Sequence, residues 1–353
     1  MSYKPLSACM KVILFFTLLL QLQPSFAQYN WNDLERELQV NQKQLGTDAM
    51  VMIWKNDSLI YQKEMGTFNA KTVAPVASAS KWLTAALIMK LAEEGKFSLD
   101  DKVVRYIPEL DKYFKGYITI RQCLSHMTGI EDEGNLLKKM FQRKKFNTLE
   151  EEISSFAARD IRANPGKDFW YGNIGLNIAA RVAEVVTKRK FDALIKQKLF
   201  TPLGMKKSTF SNLDGSAVNP SAGAKSTAED YMRFLVMLLN NGTLNGIQYL
   251  TAESVSMMRE IQNDKVPEAY APESSKGFKY ALGSWASDGK SVGNKIMANV
   301  LASPGLFGTW PMIDYCRGYA YLVFVKDLLN EEKAKIHLDV KNIIDKQMKT
   351  ECR

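Results

Sequence analysis

The chain has 353 residues, a hydrophobic fraction of 46% and a charged fraction of 24%, which is ordinary globular make-up with enough length for one large domain or two smaller ones. Net charge is +9, but the basic residues are dispersed. The densest cluster, Lys138-Lys139 through Arg143-Lys144-Lys145, lacks interleaved aromatics and reads as a solvated surface, so no nucleic-acid partner is expected.

Lys4 and Lys11 precede the apolar run Val12–Leu20, and Pro24-Ser25-Phe26-Ala27 follows. This is the pattern of a signal peptide over residues 1–27, removed near Ala27, and implies an exported protein, periplasmic or secreted. The apolar run falls well short of the roughly 20 residues that span a bilayer, so no stable membrane span is expected after cleavage; a retained anchor is the alternative. Leu6-Ser7-Ala8-Cys9 resembles a lipoprotein box but lies ahead of the apolar run, where such a box cannot work. Cys123, Cys316 and Cys352 remain after cleavage, an odd set that specifies no disulfide framework, and no Cys/His spacing fits a metal.

Asn32 to Gln44 reads as an amphipathic helix, and Ala49–Trp54 with Leu59–Lys63 as a β-hairpin ending at Gly66. A small-residue approach, Val76-Ala77-Ser78-Ala79-Ser80, runs into a helix with apolar Leu83, Ala86, Leu87 and Leu91 and a Gly95 stop. Thr119 caps a short helix through Ser125, and residues 131–147 read as a polar insertion. Thr148-Leu149-Glu150-Glu151 opens a helix to about Arg159. Asn164-Pro165-Gly166 turns into Phe169-Trp170-Tyr171-Gly172-Asn173. Helices are expected over Gly175–Lys188, Phe191–Phe200 and from the Thr227 cap to Leu239. Beyond Gly277 the pattern becomes β, over Tyr280–Trp285, Val300–Pro304 and Gly318–Val325, before a helix from Glu331 to Lys349.

Strands at both ends and helices between them predict an α/β (α+β) fold. In it an antiparallel sheet is flanked by helices and carries an inserted helical lobe. The sheet part is expected from residues 28–75 and 277–353, and the lobe from about 96–240.

Ser78 and Lys81 stand three apart at the start of a helical pattern, on one face and about 5–6 Å apart at Cβ. A serine hydroxyl is a weak nucleophile until a neighbouring base takes its proton, and the start of a helix favours developing negative charge. With only His126 and His337 in the chain, a Ser-His-Asp triad is a poor reading and another base is needed. Ser-x-x-Lys alone is a weak signal; taken by itself, the tetrapeptide reads better as an N-cap serine beside a solvated lysine. Ser287-Asp288-Gly289-Lys290 matches it too, in what reads as a Gly/Asp turn.

Several segments then fall in an order that resembles the serine β-lactamase-related and penicillin-binding hydrolases, in the class C β-lactamase and esterase branch. They are Ser78-Ala79-Ser80-Lys81, Glu94–Val103, Ile120–Ile130, Pro165-Gly166 through Tyr171-Gly172-Asn173, Pro202–Met205 and Ser226–Asp230. The resemblance implies a β-lactamase/transpeptidase-like fold, Ser78 as nucleophile, and Lys81 and Tyr171 as the groups that hold and relay protons. It also implies Asn173 as the residue that positions Lys81 and substrate. His126 falls in a Leu-x-His-x-x-Gly turn, where a structural histidine is expected. Trp170, Phe307 and Trp310 are candidates for an acyl pocket, with core packing as the equal alternative. Asp230 is expected to cap or brace its helix.

The third motif departs from the family. Its Lys-Thr-Gly, or His-x-Gly, aligns with Ser303-Pro304-Gly305, while Lys290-Ser291-Val292-Gly293 is one residue too long and reads as a turn. By alignment Ser303, Gly305 and Leu306 border the substrate, with the Ser78 and Leu306 amides as oxyanion donors. The missing cation argues against β-lactams and D-Ala-D-Ala peptides.

The sequence therefore predicts an exported, esterase-like serine hydrolase for a small-molecule or peptide-like ester or amide, with no metal or cofactor; the oligomeric state is not specified. The alternatives are a β-lactamase or D,D-peptidase, and, in another class, a catalytically weak penicillin-binding-type envelope interaction protein.

Overall fold

The computed structural model describes residues 29–131, 146–212, 214–328 and 331–348; the signal segment and most of the 131–147 insertion lie outside them. The first half holds α1 (Asn32–Val40), β1 (Ala49–Lys55), β2 (Ser58–Met65), β3 (Ala74–Pro75), α2 (Ser80–Glu93), α3 (Ile120–Leu124), α4 (Leu149–Ala157), β4 (Phe169–Trp170) and α5 (Ile174–Thr187). It continues with α6 (Phe191–Ile195), β5 (Lys225–Ser226), α7 (Ala228–Leu239), β6 (Thr243–Leu244), β7 (Ile247–Gln248), α8 (Ala252–Arg259) and β8 (Glu268–Tyr270). The last part holds β9 (Lys279–Tyr280), β10 (Trp285–Val292), β11 (Lys295–Ala302), β12 (Trp310–Asp314), β13 (Tyr319–Val325) and α9 (Glu331–Gln347).

Strands from both ends of the chain form one seven-stranded antiparallel sheet in the order β2-β1-β13-β12-β11-β10-β9. β1 and β13, from opposite ends of the chain, are neighbours in it, paired from Ala49↔Val325 to Lys55↔Tyr319. Every residue of β13 is buried, so the strand reads as a continuous apolar run, as strands covered on both faces do. Its alternation still sorts two cores. Tyr319, Tyr321, Val323 and Val325 pack with Leu34 and Leu38 of α1 and Val340 and Ile344 of α9. Ala320, Leu322 and Phe324 face the other way, into the core that contains Trp82 of α2 and Phe234 of α7.

α2 is buried from Ser80 through Met89. A helix apolar around its whole circumference belongs in an interior, and α2 carries the chain's Ser-x-x-Lys segment into that interior. Gly95, at φ +72°, ends it as expected. Thr119 and Gln122 form a reciprocal capping box at α3. Thr148 and Thr227 accept from the amides of Glu151 and Asp230. The Asp230 carboxylate braces the preceding loop, accepting from the Lys207 amide and the Ser208 hydroxyl.

Several expectations need correction. Ser287-Asp288-Gly289-Lys290 and Lys290–Val292 are not in a turn: they lie in β10, paired with β11 from Ser287↔Val300 to Val292↔Lys295. The outer part of β10 is exposed and polar, so its own pattern hides a strand that pairing with β11 creates. α8 and β12 have no counterpart in the sequence reading, and the helix expected to reach Phe200 ends in a π-turn, Lys196–Phe200. Cys316 is disulfide-bonded, to a partner outside the described residues; the odd thiol is Cys123, free and buried at the end of α3. Trp310 does not line a pocket at Ser78. It stacks on His337 of α9 at 4.6 Å, in the core on the other side of the sheet. Among the described residues no helix is long and apolar enough to cross a membrane.

The β9–β10 turn is seated directly on α2. Gly283 has φ +79°, and a Cβ there would lie 2.4 Å from the Ala85 Cβ and 2.9 Å from the Lys81 carbonyl oxygen; its amide donates to Leu124. Gly283→Ala is therefore expected to cost roughly 1–3 kcal/mol of unfolding free energy in urea. A change below about 0.5 kcal/mol, the range of an unremarkable surface substitution, would contradict this seating.

Candidate active site

Ser78 sits on a 3-10 turn, Ala77–Ala79, immediately before α2. Ala77 has φ +45°, a conformation costly for a residue with a Cβ and of the kind that persists where surrounding structure imposes it. Three segments impose it here. The Val76 amide donates to Ala224 at 3.0 Å, and the Ala224 amide donates to Ser80 Oγ at 2.9 Å. The Tyr231 hydroxyl donates to the Ala79 carbonyl at 2.8 Å. Gly305 comes so close that a Cβ would stand 2.2 Å from the Val76 carbonyl oxygen. Ser78 is not a helix cap: the N-cap of α2 is Ala79, with no side-chain capping bond.

Lys81, in the first turn of α2, is fully buried. Its amine donates to Ser78 Oγ at 3.3 Å, to Asn173 Oδ1 at 3.0 Å and to the Ser221 carbonyl at 3.1 Å. Burying an amine is tolerable only when its protons find acceptors; one is local and two come from distant parts of the chain. Asn173 occupies the N-cap of α5 yet makes no side-chain cap; its carbonyl oxygen is given to Lys81 instead. The Ser221 hydroxyl lies 2.7 Å from the Asn173 carbonyl and 2.8 Å from Asn177 Oδ1, and the Ser221 amide donates to that same Oδ1 at 3.1 Å. Ser221 and Asn177 have no motif in the sequence to announce them; they act only through this tertiary contact.

Tyr171 completes the set. Its phenol lies beside the Ser78 hydroxyl and the Trp285 indole, both of which favour its charged form, and the Lys81 amine lies 4.9 Å from its ring centroid. Burial pushes the phenol above its ordinary value, and Ser78 and Trp285 oppose that rise. Aromatic rings wall it in: His126 at 4.6 Å, Trp285 at 4.9 Å and Tyr280 at 5.9 Å. His126 is structural. The Gly172 amide donates to its Nδ1 at 3.4 Å, which leaves the ring proton on Nε2, 3.1 Å from the Tyr280 hydroxyl. Trp170 packs against Tyr270, with tilted rings whose centroids are 5.4 Å apart.

The 303–309 loop joins β11 to β12 and borders the Ser78 turn. Ser303 is buried and its hydroxyl donates toward the Ser78 carbonyl at 3.5 Å. Pro304 falls outside the strands, so its missing N–H breaks no ladder; the neighbouring Ser303 amide keeps the pairing with Pro311 at 3.1 Å. Gly305 uses its amide on Thr309 at 2.8 Å. Among the described residues the Ser78 and Leu306 amides donate to no protein acceptor, which leaves these two N–H groups for a ligand oxygen.

The chain belongs to the beta-lactamase family, whose model matches residues 31–343. It is similar to a Bacteroides dorei DSM 17855 protein assigned as a beta-lactamase, with a TM-score of 0.80, 27% identity, and coverage of 90% of this chain and 99% of that one. The fold is shared with EstCE1, described as a hydrolase with promiscuous acyltransferase activity. There the TM-score is 0.72 at 16% identity, over 88% of this chain and 98% of that one. It is also shared with a Bacillus anthracis protein assigned as a 6-aminohexanoate-dimer hydrolase, at a TM-score of 0.68 and 20% identity, over 88% of this chain and 82% of that one.

Tyr171→Phe keeps the ring packing and removes only the oxygen. It is expected to lower kcat/KM for ester hydrolysis by about 10²–10⁴-fold, the range of a positioned acid–base group, with the melting temperature little changed. A loss under about tenfold would take Tyr171 off the proton path.

Proposed function

We propose that the chain is an exported serine hydrolase that forms an acyl-enzyme on Ser78, with esters or amides of uncharged acyl groups as its substrates. The observation that carries this reading is the Ser78 hydroxyl, which accepts from the buried Lys81 amine at 3.3 Å and lies beside the buried Tyr171 phenol, whose charged form it favours. Lys81 donates to Oγ, so the single hydroxyl proton is free to point at Tyr171. In the reaction the phenolate form of Tyr171 takes the hydroxyl proton as Ser78 Oγ attacks the carbonyl, leaving Tyr171 as the neutral phenol. The amides of Ser78 and Leu306 receive the developing oxyanion. Tyr171 then gives the proton to the leaving oxygen or nitrogen, and water reverses the sequence to free the acid.

The absence of a cation at Ser303 favours neutral substrates, because a buried hydroxyl turned toward the Ser78 carbonyl offers a carboxylate no counter-charge. This observation sets the ester or amide reading above a β-lactamase or D,D-peptidase. The hydrolase assignments of the two fold relatives, one with acyltransferase activity and one for an amide dimer, support a family scaffold open to such chemistry. The intact relay around Ser78 sets both enzymatic readings above a purely binding protein. Export rests on the pattern of residues 1–27 and on the disulfide at Cys316, since disulfides persist in oxidising compartments.

A neutral p-nitrophenyl ester is expected to be turned over, with loss of at least about a thousandfold in Ser78→Ala. A penicillin, which carries a carboxylate, is expected to acylate Ser78 at least about a hundredfold more slowly than the ester; faster acylation by the penicillin would favour the β-lactamase reading. Because burial holds the Tyr171 phenol above its ordinary value, its basic form grows as pH rises. Activity on the neutral ester should therefore climb about tenfold per pH unit through the neutral range. A maximum near mildly acidic pH would contradict the assignment.

A further inference from the structure

The missing cation at Ser303 leaves the Tyr171 oxygen without one of the groups that would stabilise it when it carries negative charge. The neighbouring strand offers another. Trp285 opens β10 and pairs directly with Ala302, the residue just before Ser303. It is 3% exposed, and its ring lies 4.9 Å from that of Tyr171 at an interplanar angle of 33°. Beside the phenol it favours the charged form, and an indole N–H can only donate, so the Tyr171 oxygen is the group it can serve.

The groups facing Tyr171 come from every element packed against it. They are the Ser78 hydroxyl and Lys81 amine at the start of α2, His126 after α3, Tyr270 of β8, Tyr280 of β9 and Trp285 of β10. Tyr171 is charged before it takes the serine proton and again after it has passed that proton to the leaving group, when the acylated Ser78 has no hydroxyl to donate. Trp285 then remains beside the oxygen, placed there by strand pairing.

We propose that Trp285 is a positioning residue that takes over the part of the absent third-motif cation, holding the Tyr171 oxygen and stabilising the charge it carries as protons pass between Ser78 and the leaving group. The proposal rests on the Ser78 reading above. The relay loses no net proton: the phenolate formed or consumed at Tyr171 is balanced by the proton leaving or returning to Ser78 and the leaving group.

The test is a double-mutant cycle on the rate at which a fluorophosphonate labels Ser78, followed by intact mass and peptide mapping, with melting temperatures measured alongside. Trp285→Phe should slow labelling about tenfold in the otherwise unchanged protein, the worth of one hydrogen bond to a charged group. In a Tyr171→Phe background the same change should alter the rate by less than about twofold, because the oxygen it acts through is gone. An equal slowing in both backgrounds would make Trp285 a packing residue and overturn the proposal. Should Trp285→Phe fail to fold, biosynthetic replacement of tryptophan by fluorotryptophan keeps the shape and strengthens the N–H donor. Labelling should then become faster, and an unchanged or slower rate would overturn the proposal. No labelling of Ser78 in the unaltered protein would instead sink the underlying reading.

Discussion

The buried Lys81 amine is the constraint on which the rest of the site depends. An amine taken out of water needs acceptors placed around it, and one left unmatched costs more than most single contacts stabilise. Ser78 Oγ, Asn173 Oδ1 and the Ser221 carbonyl meet that need from positions far apart in the chain. Satisfying Lys81 therefore fixes the start of α2 against the start of α5 and against the 219–224 segment. That same segment holds the strained Ala77 turn through Ala224. The geometry at Ser78 is thus a by-product of solvating one buried nitrogen with protein atoms.

Around that nitrogen the sheet serves as a rigid mount. α2 is buried on all sides, the β9–β10 turn comes closest to it at Gly283, and the 303–305 loop comes closest to the Ser78 turn at Gly305. Each close approach brings one component within range: Trp285 beyond Gly283, and the Leu306 amide beyond Gly305. The site is assembled from backbone approaches that a larger residue would block. The chemistry proposed for it rests on what those approaches deliver, the Ser78 hydroxyl with the Tyr171 phenol on one side, the Lys81 amine on the other, and two amides without a protein acceptor among the described residues.

Much of this was legible in the sequence because it is local or ordered. The hairpin of β1 and β2, the threonine caps of α3, α4 and α7, and the Gly95 stop each follow from short-range patterns. The order of Ser78-Ala79-Ser80-Lys81, Tyr171-Gly172-Asn173 and the glycine turns pointed to the family before any coordinates. What was not legible depends on pairing or on long-range contact. β10 looks like a turn because Ser287 to Lys290 is polar and exposed, and only β11 makes it a strand. Ser221 and Asn177 carry no motif. Trp310 reads as readily as a pocket wall as a core residue, and only the position of α9 decides that it is core. Trp285 gains its place beside Tyr171 from register with Ala302, a relation no single segment encodes.

The central claim is that Ser78 is the nucleophile and that the Ser78 and Leu306 amides hold the oxyanion. A crystal structure of the protein after reaction with a fluorophosphonate tests both at once. The account predicts phosphorus bonded to Ser78 Oγ, with a phosphoryl oxygen within about 3 Å of both amide nitrogens. Phosphorus on any other residue, or a phosphoryl oxygen turned away from both amides, would contradict it.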